Sequence, residues 1–270
     1  MKKTKASLLI ATIATALLIS CNVEDLTKTA DPSTVEASMA IDAANSLDVQ
    51  TGLEVANNNS STAKNVNITS TCANITYPAT TAYPQVITVD FGTGCTINQI
   101  TRKGKLKITL SAPLTQTEAK MTIERIGYSV NNYALEGTIE YTNATVNAAV
   151  PKWTRKVTNG KITNTNGAVF TNSGTCAVQQ TAGVDTPYVL ADNVYEMTEG
   201  KHTTTDEKGN TVTLTVLATL VKKFSCDYIS QGQLKIESGL LNGTIDFGSN
   251  DCDNNYTFTL KNGFVFNLTM

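Results

Sequence analysis

A period-two alternation of apolar and polar residues constrains this fold more than any other feature. The segments GKLKITLS at 104–111 and TVTLTVLATL at 211–220 place an apolar residue at nearly every second position. Successive side chains of a β-strand point to opposite faces, so each segment predicts a strand with one buried and one solvated face. The C-terminal segment 256–270 repeats the alternation on both sides of Asn262-Gly263, a dipeptide typical of a type I′ hairpin turn.

Turn signals between the strands favour an antiparallel meander. Asn131-Asn132, Asn159-Gly160 and Asn166-Gly167 are expected to mark hairpins. Strands joined by short turns pair with their sequence neighbours, which predicts a mainly β, up-and-down sheet. About a dozen strands exceed what an open sheet usually carries flat, so we expect the sheet to curl. A barrel, a half-barrel and a two-layer sheet are all compatible with the sequence.

One helix is expected ahead of the strands. Ser33 and Glu36 form a capping box, and Pro32 suits the start of a helix. The apolar residues that follow are spaced to line one face: Val35, Met39, Ala43 and Leu47. This spacing predicts a single amphipathic helix that ends near Gln50 and packs on the sheet, followed by a polar linker at 57–61.

The first twenty residues have the layout of a secretory signal peptide. Three lysines stand within the first five residues, and the uncharged run SLLIATIATALLI follows at 7–19. Only sixteen residues separate Lys5 from Asn22, fewer than the roughly 20 apolar residues of a membrane-spanning helix. Leu18-Ile19-Ser20-Cys21 resembles a bacterial lipobox. The resemblance implies that Cys21 receives a diacylglyceryl group, that the chain is cut before it and that the new amino terminus is acylated.

The lipobox divides the chain into a lipoprotein signal peptide at 1–20, an acylated tether at 21–30 and a single β-rich domain at 31–270. Two or more acyl chains hold a protein on a membrane stably, so the membrane is an expected partner. Asn22 is not the aspartate that retains many bacterial lipoproteins at the inner membrane, which favours the outer membrane. The sequence leaves open whether the body faces the periplasm or the cell surface.

A cysteine-bounded hairpin occurs twice. The first copy runs from Cys72 through Asp-Phe-Gly to Cys95, and the second runs from Cys226 through Asp-Phe-Gly to Cys252. An exported chain meets an oxidising compartment, so we predict a disulfide within each copy, each worth roughly 3 kcal/mol. Cys176 is left over, and we expect a free thiol there and not a nucleophile, because no histidine lies near it in sequence.

The Asp-Phe-Gly motifs at 90–92 and 246–248 look like the magnesium motif of protein kinases. The other kinase motifs, a glycine-rich loop with a strand lysine and a His-Arg-Asp loop, are absent from the sequence. We therefore predict a structural role. Each phenylalanine should end a strand facing the core, and each glycine should take the turn conformation that brings the next cysteine back.

Charge excludes nucleic acid as a partner. Removal of residues 1–20 takes away three lysines and leaves 18 basic and 23 acidic residues. Binding to a phosphate backbone requires clustered lysine and arginine, and the densest group in this chain is Arg102-Lys103-Gly104-Lys105.

The sequence offers little for catalysis. Its one histidine, His202, stands in the turn-like run GKHTTTDEKGN, where we expect an exposed loop imidazole. Ser-His-Asp or Cys-His chemistry would depend on this residue, and no G-x-S-x-G motif is present. Glycoside cleavage needs only two carboxylates, but nothing singles out a pair. The candidates are Glu136, Glu140, Asp192 and Glu196.

The second repeat also gathers oxygen ligands: Asp246, Asn250, Asp251, Asp253 and Asn254. Calcium binds such side chains, but Asp and Asn are equally the residues of turns, and the spacing is not that of an EF-hand. We expect turns here, with no metal site and no cofactor.

Four segments carry a family resemblance. DFGTGC, TRKGKLKITLSAP, YSVNNYALEGTIEYTN and DFGSNDCDNN are similar to a group of uncharacterised outer-membrane lipoproteins of Bacteroidetes, over the chain from about Cys72 to its end. INQI at 97–100 departs from the turn usual in that group. The group has no established activity, so the resemblance implies only a lipoprotein with a β-rich body.

These observations predict a lipid-anchored envelope protein with a binding or structural role at the outer membrane. Its protein or glycan partner is not identifiable from the sequence. Two alternatives remain: a periplasmic carrier that holds a hydrophobic ligand on the inside of the curled sheet, and a surface glycan hydrolase that acts through two carboxylates.

Overall fold

The computed structural model describes residues 33–59, 72–186, 189–239 and 241–270. These residues form one long helix, α1 (Ser33–Asn59), a 3-10 turn at Leu190–Asp192 and fourteen strands. The strands are β1 (Asn74–Thr76), β2 (Gln85–Asp90), β3 (Cys95–Ile97), β4 (Ile100–Leu110), β5 (Lys120–Val130), β6 (Tyr133–Asn143), β7 (Lys152–Thr163), β8 (Val169–Ala182), β9 (Val194–Asp206), β10 (Thr211–Lys223), β11 (Gln231–Glu237), β12 (Gly243–Ser249), β13 (Asn255–Leu260) and β14 (Val265–Thr269).

All fourteen strands belong to one antiparallel sheet. Its order is β1-β2-β4 and then the sequence order to β14, with the short β3 paired to β4. Within the described ranges β1 and β14 each pair on one side only, so the sheet is not closed. The predicted meander with one amino-terminal helix is confirmed, and its form is an open, curled sheet.

Bulges account for the curl. Every ladder from β4–β5 to β11–β12 contains at least one register shift. An extra residue on one strand bends that strand and increases its twist. Gly104 lies in one of these bulges with φ of 77°, and a Cβ there would lie 2.1 Å from the carbonyl oxygen of Gly127. Only glycine fits such a position without moving the neighbouring backbone.

Some of the predicted hairpin turns are present in the structure, and one is not. Asn131 and Asn132 have φ of 47° and 66° and join β5 to β6, as expected for a type I′ turn. The hairpins at 166–167 and 262–263 are also confirmed, but at 262–263 only the glycine has positive φ. That loop is therefore not type I′. The hairpin expected at 159–160 is wrong, because these residues form a bulge inside β7.

Helix α1 lies inside the curl, with side chains that reach β4, β5, β7 and β9. The helix expected on the sheet is confirmed, but it continues past Gln50 to Asn59, so the first part of the predicted linker is helical. Its polar side is not solvated, because the sheet wraps around it. Four polar residues on that side are at most 8% exposed: Ser38, Asp42, Asn45 and Asp48.

The inner face of the sheet and the apolar residues of α1 share one core. Leu106, Ile108 and Leu110 of β4 are at most 2% exposed, which confirms the alternation predicted there. The outer face carries exposed ion pairs such as Lys107 with Glu124, whose charged atoms are 2.8 Å apart. In the described part of the chain, no helix combines the length and the apolarity needed to cross a bilayer.

Candidate functional site

Two carboxylates of α1 face arginines from the inner side of the sheet, and together they form a buried charged seam. The seam has two centres, one at Asp42 and one at Asp48, six residues apart along the helix. The arginines are Arg102 of β4, Arg125 of β5 and Arg155 of β7. The side chains of these pairs are at most 12% exposed, so each charge depends largely on its partner.

At the Asp48 centre both carboxylate oxygens are engaged. Oδ1 accepts hydrogen bonds from Arg102 Nη2 at 3.0 Å and from the Tyr128 hydroxyl at 2.6 Å. Oδ2 accepts from Arg125 Nε at 2.9 Å and Nη2 at 2.7 Å. Burial and the adjacent carboxylate of Asp48 raise the pKa of Tyr128, so its hydroxyl stays protonated and donates.

Arg102 links this centre to the first cysteine-bounded hairpin. Its guanidinium lies 4.1 Å from the centre of the Phe91 ring, and its Nη1 donates to Thr51 Oγ1 at 2.8 Å. A cation over a desolvated aromatic face contributes on the order of 2 kcal/mol. The phenylalanine of the first Asp-Phe-Gly motif is therefore one wall of the charged seam.

The Asp42 centre is less completely bonded. Asp42 Oδ1 accepts from Arg155 Nη2 at 2.5 Å, and His202 Nδ1 lies 3.6 Å from the same oxygen. Burial alone would raise the pKa of Asp42, but Arg155 and His202 outweigh it and hold that pKa well below its usual range. Asp42 is therefore a carboxylate at every physiological pH.

His202 does not lie in an exposed loop, so that expectation is wrong. It stands in β9 on the inner face and is 8% exposed. Asn172 Nδ2 contacts its Nε2 and also donates to Thr204 Oγ1 at 3.1 Å. The two ring nitrogens therefore face different partners, Nε2 the Asn172 amide and Nδ1 the Asp42 carboxylate.

Cys176 lies on β8 beside the Asp42 centre and lines, with Asp42 and His202, a small cavity of about 30 Å³. The free thiol predicted there is confirmed, and it is 7% exposed. Burial raises the pKa of Cys176, opposed in part by Arg155. The thiol is therefore protonated at neutral pH, whereas a cysteine nucleophile acts as a thiolate.

The residue types of a Cys-His-Asp triad thus meet in space although they are far apart in sequence. The charged groups that act on the thiol are Arg155 and Asp42, and His202 contacts Asn172 through Nε2. A triad needs an imidazole nitrogen free to take the thiol proton. The Asp42 carboxylate is paired mainly with Arg155, and this ion pair joins α1 to β7.

Lys222 is a buried cation, and no motif in the sequence marks it as a candidate site residue. Its Nζ donates to Gln50 Oε1 at 3.2 Å, to the Lys223 carbonyl at 3.1 Å and to the Cys226 carbonyl. Burial lowers the pKa of Lys222 to about 8. Beside it lies a small, largely apolar cavity of about 50 Å³, lined by α1 and by strands β6 to β10.

The predicted disulfide pairs are both at bonding distance. Cα atoms are 5.4 Å apart for Cys72 and Cys95, and 5.2 Å apart for Cys226 and Cys252. The predicted lipidation site Cys21 lies outside the described residues, as do the signal peptide and the tether.

The two Asp-Phe-Gly motifs have the same local structure. Asp90 Oδ1 accepts from the Gly92 N–H at 2.9 Å, and Asp246 Oδ1 accepts from the Gly248 N–H at 2.8 Å. Both glycines have positive φ, 57° and 81°. Both phenylalanines are buried in the core. The burial of both phenylalanines and the turn conformation of both glycines are confirmed, but the prediction that each phenylalanine ends a strand is wrong for Phe247, because β12 continues to Ser249.

The carboxylates considered for catalysis do not converge. Glu136 pairs with Lys161 at 2.8 Å and Glu140 with Lys120 at 3.2 Å, both on the outer face. None of the four candidates lines the cavity beside Cys176 or the cavity beside Lys222. Among the described residues, no three His, Cys, Asp or Glu side chains are placed to hold a metal ion.

Comparison with known protein families, with curated proteins and with solved structures finds no significant match to this chain. The family resemblance drawn from the paired Asp-Phe-Gly hairpins therefore stays a prediction.

Proposed function

We propose that this protein is a lipid-anchored component of the bacterial outer membrane that acts by binding or as a structural element, and not by catalysis. The observation that carries the proposal is the position of α1. The predicted acylation site Cys21 is separated by only eleven residues from Ser33, where the central helix of the fold begins. Fully extended, eleven residues reach roughly 40 Å, so the body stays close to the membrane.

The charged seam suits a helix that carries an anchor. A pull on the acylated terminus acts along α1, and α1 is joined to β4, β5 and β7 by buried ion pairs. Breaking one partner of such a pair costs about 3–5 kcal/mol, because the other charge is left uncompensated. The seam therefore supports a role in which the tether and the sheet move as one body.

The interior gives less support to the two alternatives. Helix α1 occupies the inner face on which a carrier would hold an acyl chain, and a filled interior favours a non-carrier role. The buried thiol is protonated, and the pKa of Asp42 is lowered, whereas glycoside cleavage needs a carboxyl with a raised pKa. The outer face, with its threonines and lysine–glutamate pairs, is the surface left for a protein or glycan partner.

The experiment compares the full chain with its Cys21→Ser variant in a bacterium that processes lipoproteins. We expect the wild type to incorporate labelled palmitate and to partition into detergent with the outer membrane, and the variant to do neither. Cys176→Ser is the matched control, because it removes a thiol that the proposal leaves unmodified. Palmitate in Cys21→Ser, or its absence from the wild type, would contradict the proposal.

A second measurement addresses the side of the membrane. Protease shaving of intact cells, read by mass spectrometry, cleaves a surface-displayed body and leaves a periplasmic one whole. Cleavage would place the body at the cell surface, and protection would place it in the periplasm.

A further inference from the structure

The β13–β14 hairpin exposes a set of apolar side chains at one edge of the sheet. Phe264 is 61% exposed, Val265 58%, Phe266 46% and Leu268 36%, and these four residues are called the apolar edge below. Phe266 and Leu268 face the inner side, opposite Phe258 and Tyr256, while Val265 faces the outer side. Exposed apolar residues that cover both faces of one edge mark a contact surface.

The apolar edge lies where α1 begins. The carboxylate of Glu36 acts on Tyr256, which is directly opposite Leu268 in the β13–β14 ladder. Met39 and Met270 line one cavity. The first turns of α1 therefore lie beside this edge, and eleven residues separate the predicted acylation site Cys21 from Ser33.

The charge of the hairpin fits a lipid surface. From Asn254 to Met270 the sequence has no Asp or Glu, and its one charged residue is Lys261, in the hairpin loop. Carboxylates are costly near a bilayer, whereas aromatic rings enter the interfacial region and lysine is attracted to anionic headgroups. An uncharged strand edge could also pair with a second copy of the chain, but that pairing would not require the edge to lie beside the tether.

We propose that the apolar edge inserts into the interfacial region of the membrane that holds the Cys21 anchor, so that this end of the sheet rests on the lipid. The proposal rests on the lipid anchor proposed above. Acyl chains and inserted aromatic side chains together fix the orientation of the body, which the acyl chains alone do not.

The test uses a single tryptophan as a depth probe in the lipidated full chain. Trp153→Phe removes the native tryptophan, whose Nε1 is buried without a hydrogen-bond partner, so no hydrogen bond is lost. Phe264→Trp places the probe in the apolar edge, and Val146→Trp is the matched control in the β6–β7 loop, at a residue that is 99% exposed. Each protein is reconstituted into phosphatidylethanolamine–phosphatidylglycerol vesicles with or without brominated acyl chains.

We expect brominated lipid to quench Phe264→Trp at least two-fold more than Val146→Trp, with a blue-shifted emission in vesicles only. Equal quenching of the two probes in vesicle-bound protein would overturn the proposal. A blue shift that grows with protein concentration in detergent, without quenching by brominated lipid, would assign the edge to a second copy and would also overturn it.

Flotation of the vesicles distinguishes failure of the proposed edge contact from failure of the lipid anchor. Protein that does not float refutes the lipid anchor, whereas protein that floats with an unquenched probe refutes only the contact of the edge. Circular dichroism verifies the fold of each variant. If Phe264→Trp fails to fold, Val265→Trp gives the same test from the outer side of β14.

Discussion

The two centres of the charged seam use the same chemistry to different degrees. Asp48 receives four hydrogen bonds from two arginines and a tyrosine, and none of its surroundings is exposed. Asp42 has one short bond to Arg155, a more distant His202 and a neighbouring cavity with a free thiol. The Asp48 carboxylate is thus fully hydrogen-bonded, whereas the Asp42 carboxylate has one short hydrogen bond and lies beside a cavity.

The largest effect is expected from Asp48→Asn. It removes the counter-charge of two buried arginines and should lower the free energy of unfolding by about 3–5 kcal/mol, measured by urea denaturation. Glu124→Gln is the control, because it breaks an ion pair whose glutamate side chain is 44% exposed and should cost about 1 kcal/mol or less. Equal losses in the two variants would contradict a structural role for the Asp48 centre.

Asp42→Asn should cost less, about 2–3 kcal/mol, in the same assay. Arg155 keeps a second acceptor, Ser46 Oγ at 3.1 Å, and the Asp42 side chain is 12% exposed and not completely buried. A loss as large as that of Asp48→Asn would show that the two centres hold α1 equally, and it would contradict the expected difference in stability between the two variants.

The pH dependence follows from the sign of the Asp42 shift. The pKa of Asp42 in the folded protein is below its ordinary value of 3.8, so its contribution to stability is complete above that value and is lost as the pH falls below it. Denaturation between pH 5 and pH 2 should show a steeper loss for the wild type than for Asp42→Asn, by about one proton. Parallel curves would place the titrating group elsewhere.

The smallest effect concerns the thiol. Because burial keeps Cys176 protonated, iodoacetamide should label it at least ten-fold more slowly than a free cysteine at pH 7, and fully after unfolding. His202→Gln should leave that rate within two-fold, since the ring does not activate the thiol. Rapid labelling that depends on His202 would indicate that His202 activates the Cys176 thiol as a nucleophile.

The parts of the fold that depend on local patterns were predictable from the sequence. Residues close in sequence specify the strands of 104–111 and 211–220 and the hairpin turn at 131–132. An internal repeat specifies the two cysteine pairs. Alternation and turn chemistry act within a few residues, so they survive without tertiary information.

The charged seam was not predictable, because its partners are distant. Asp48 and Arg125 are 77 residues apart, and only the folded, curled sheet shows that the polar side of α1 faces arginines. His202 was misplaced because the inward positions of β9 are polar there, His202 and Thr204, so the alternation of a strand was hidden. Asn159-Gly160 was misread because positive φ serves a bulge as well as a turn.

We propose above all that an acylated Cys21 anchors α1, the core helix of this fold, to a membrane. Intact-mass spectrometry of the protein purified from bacterial membranes tests it most directly. We predict the mass of residues 21–270, less four hydrogens for the two disulfides, plus a diacylglyceryl group and an amide-linked acyl chain, and we predict that Cys21→Ser lacks the added mass. An unmodified mature chain that begins at any other residue would contradict the claim.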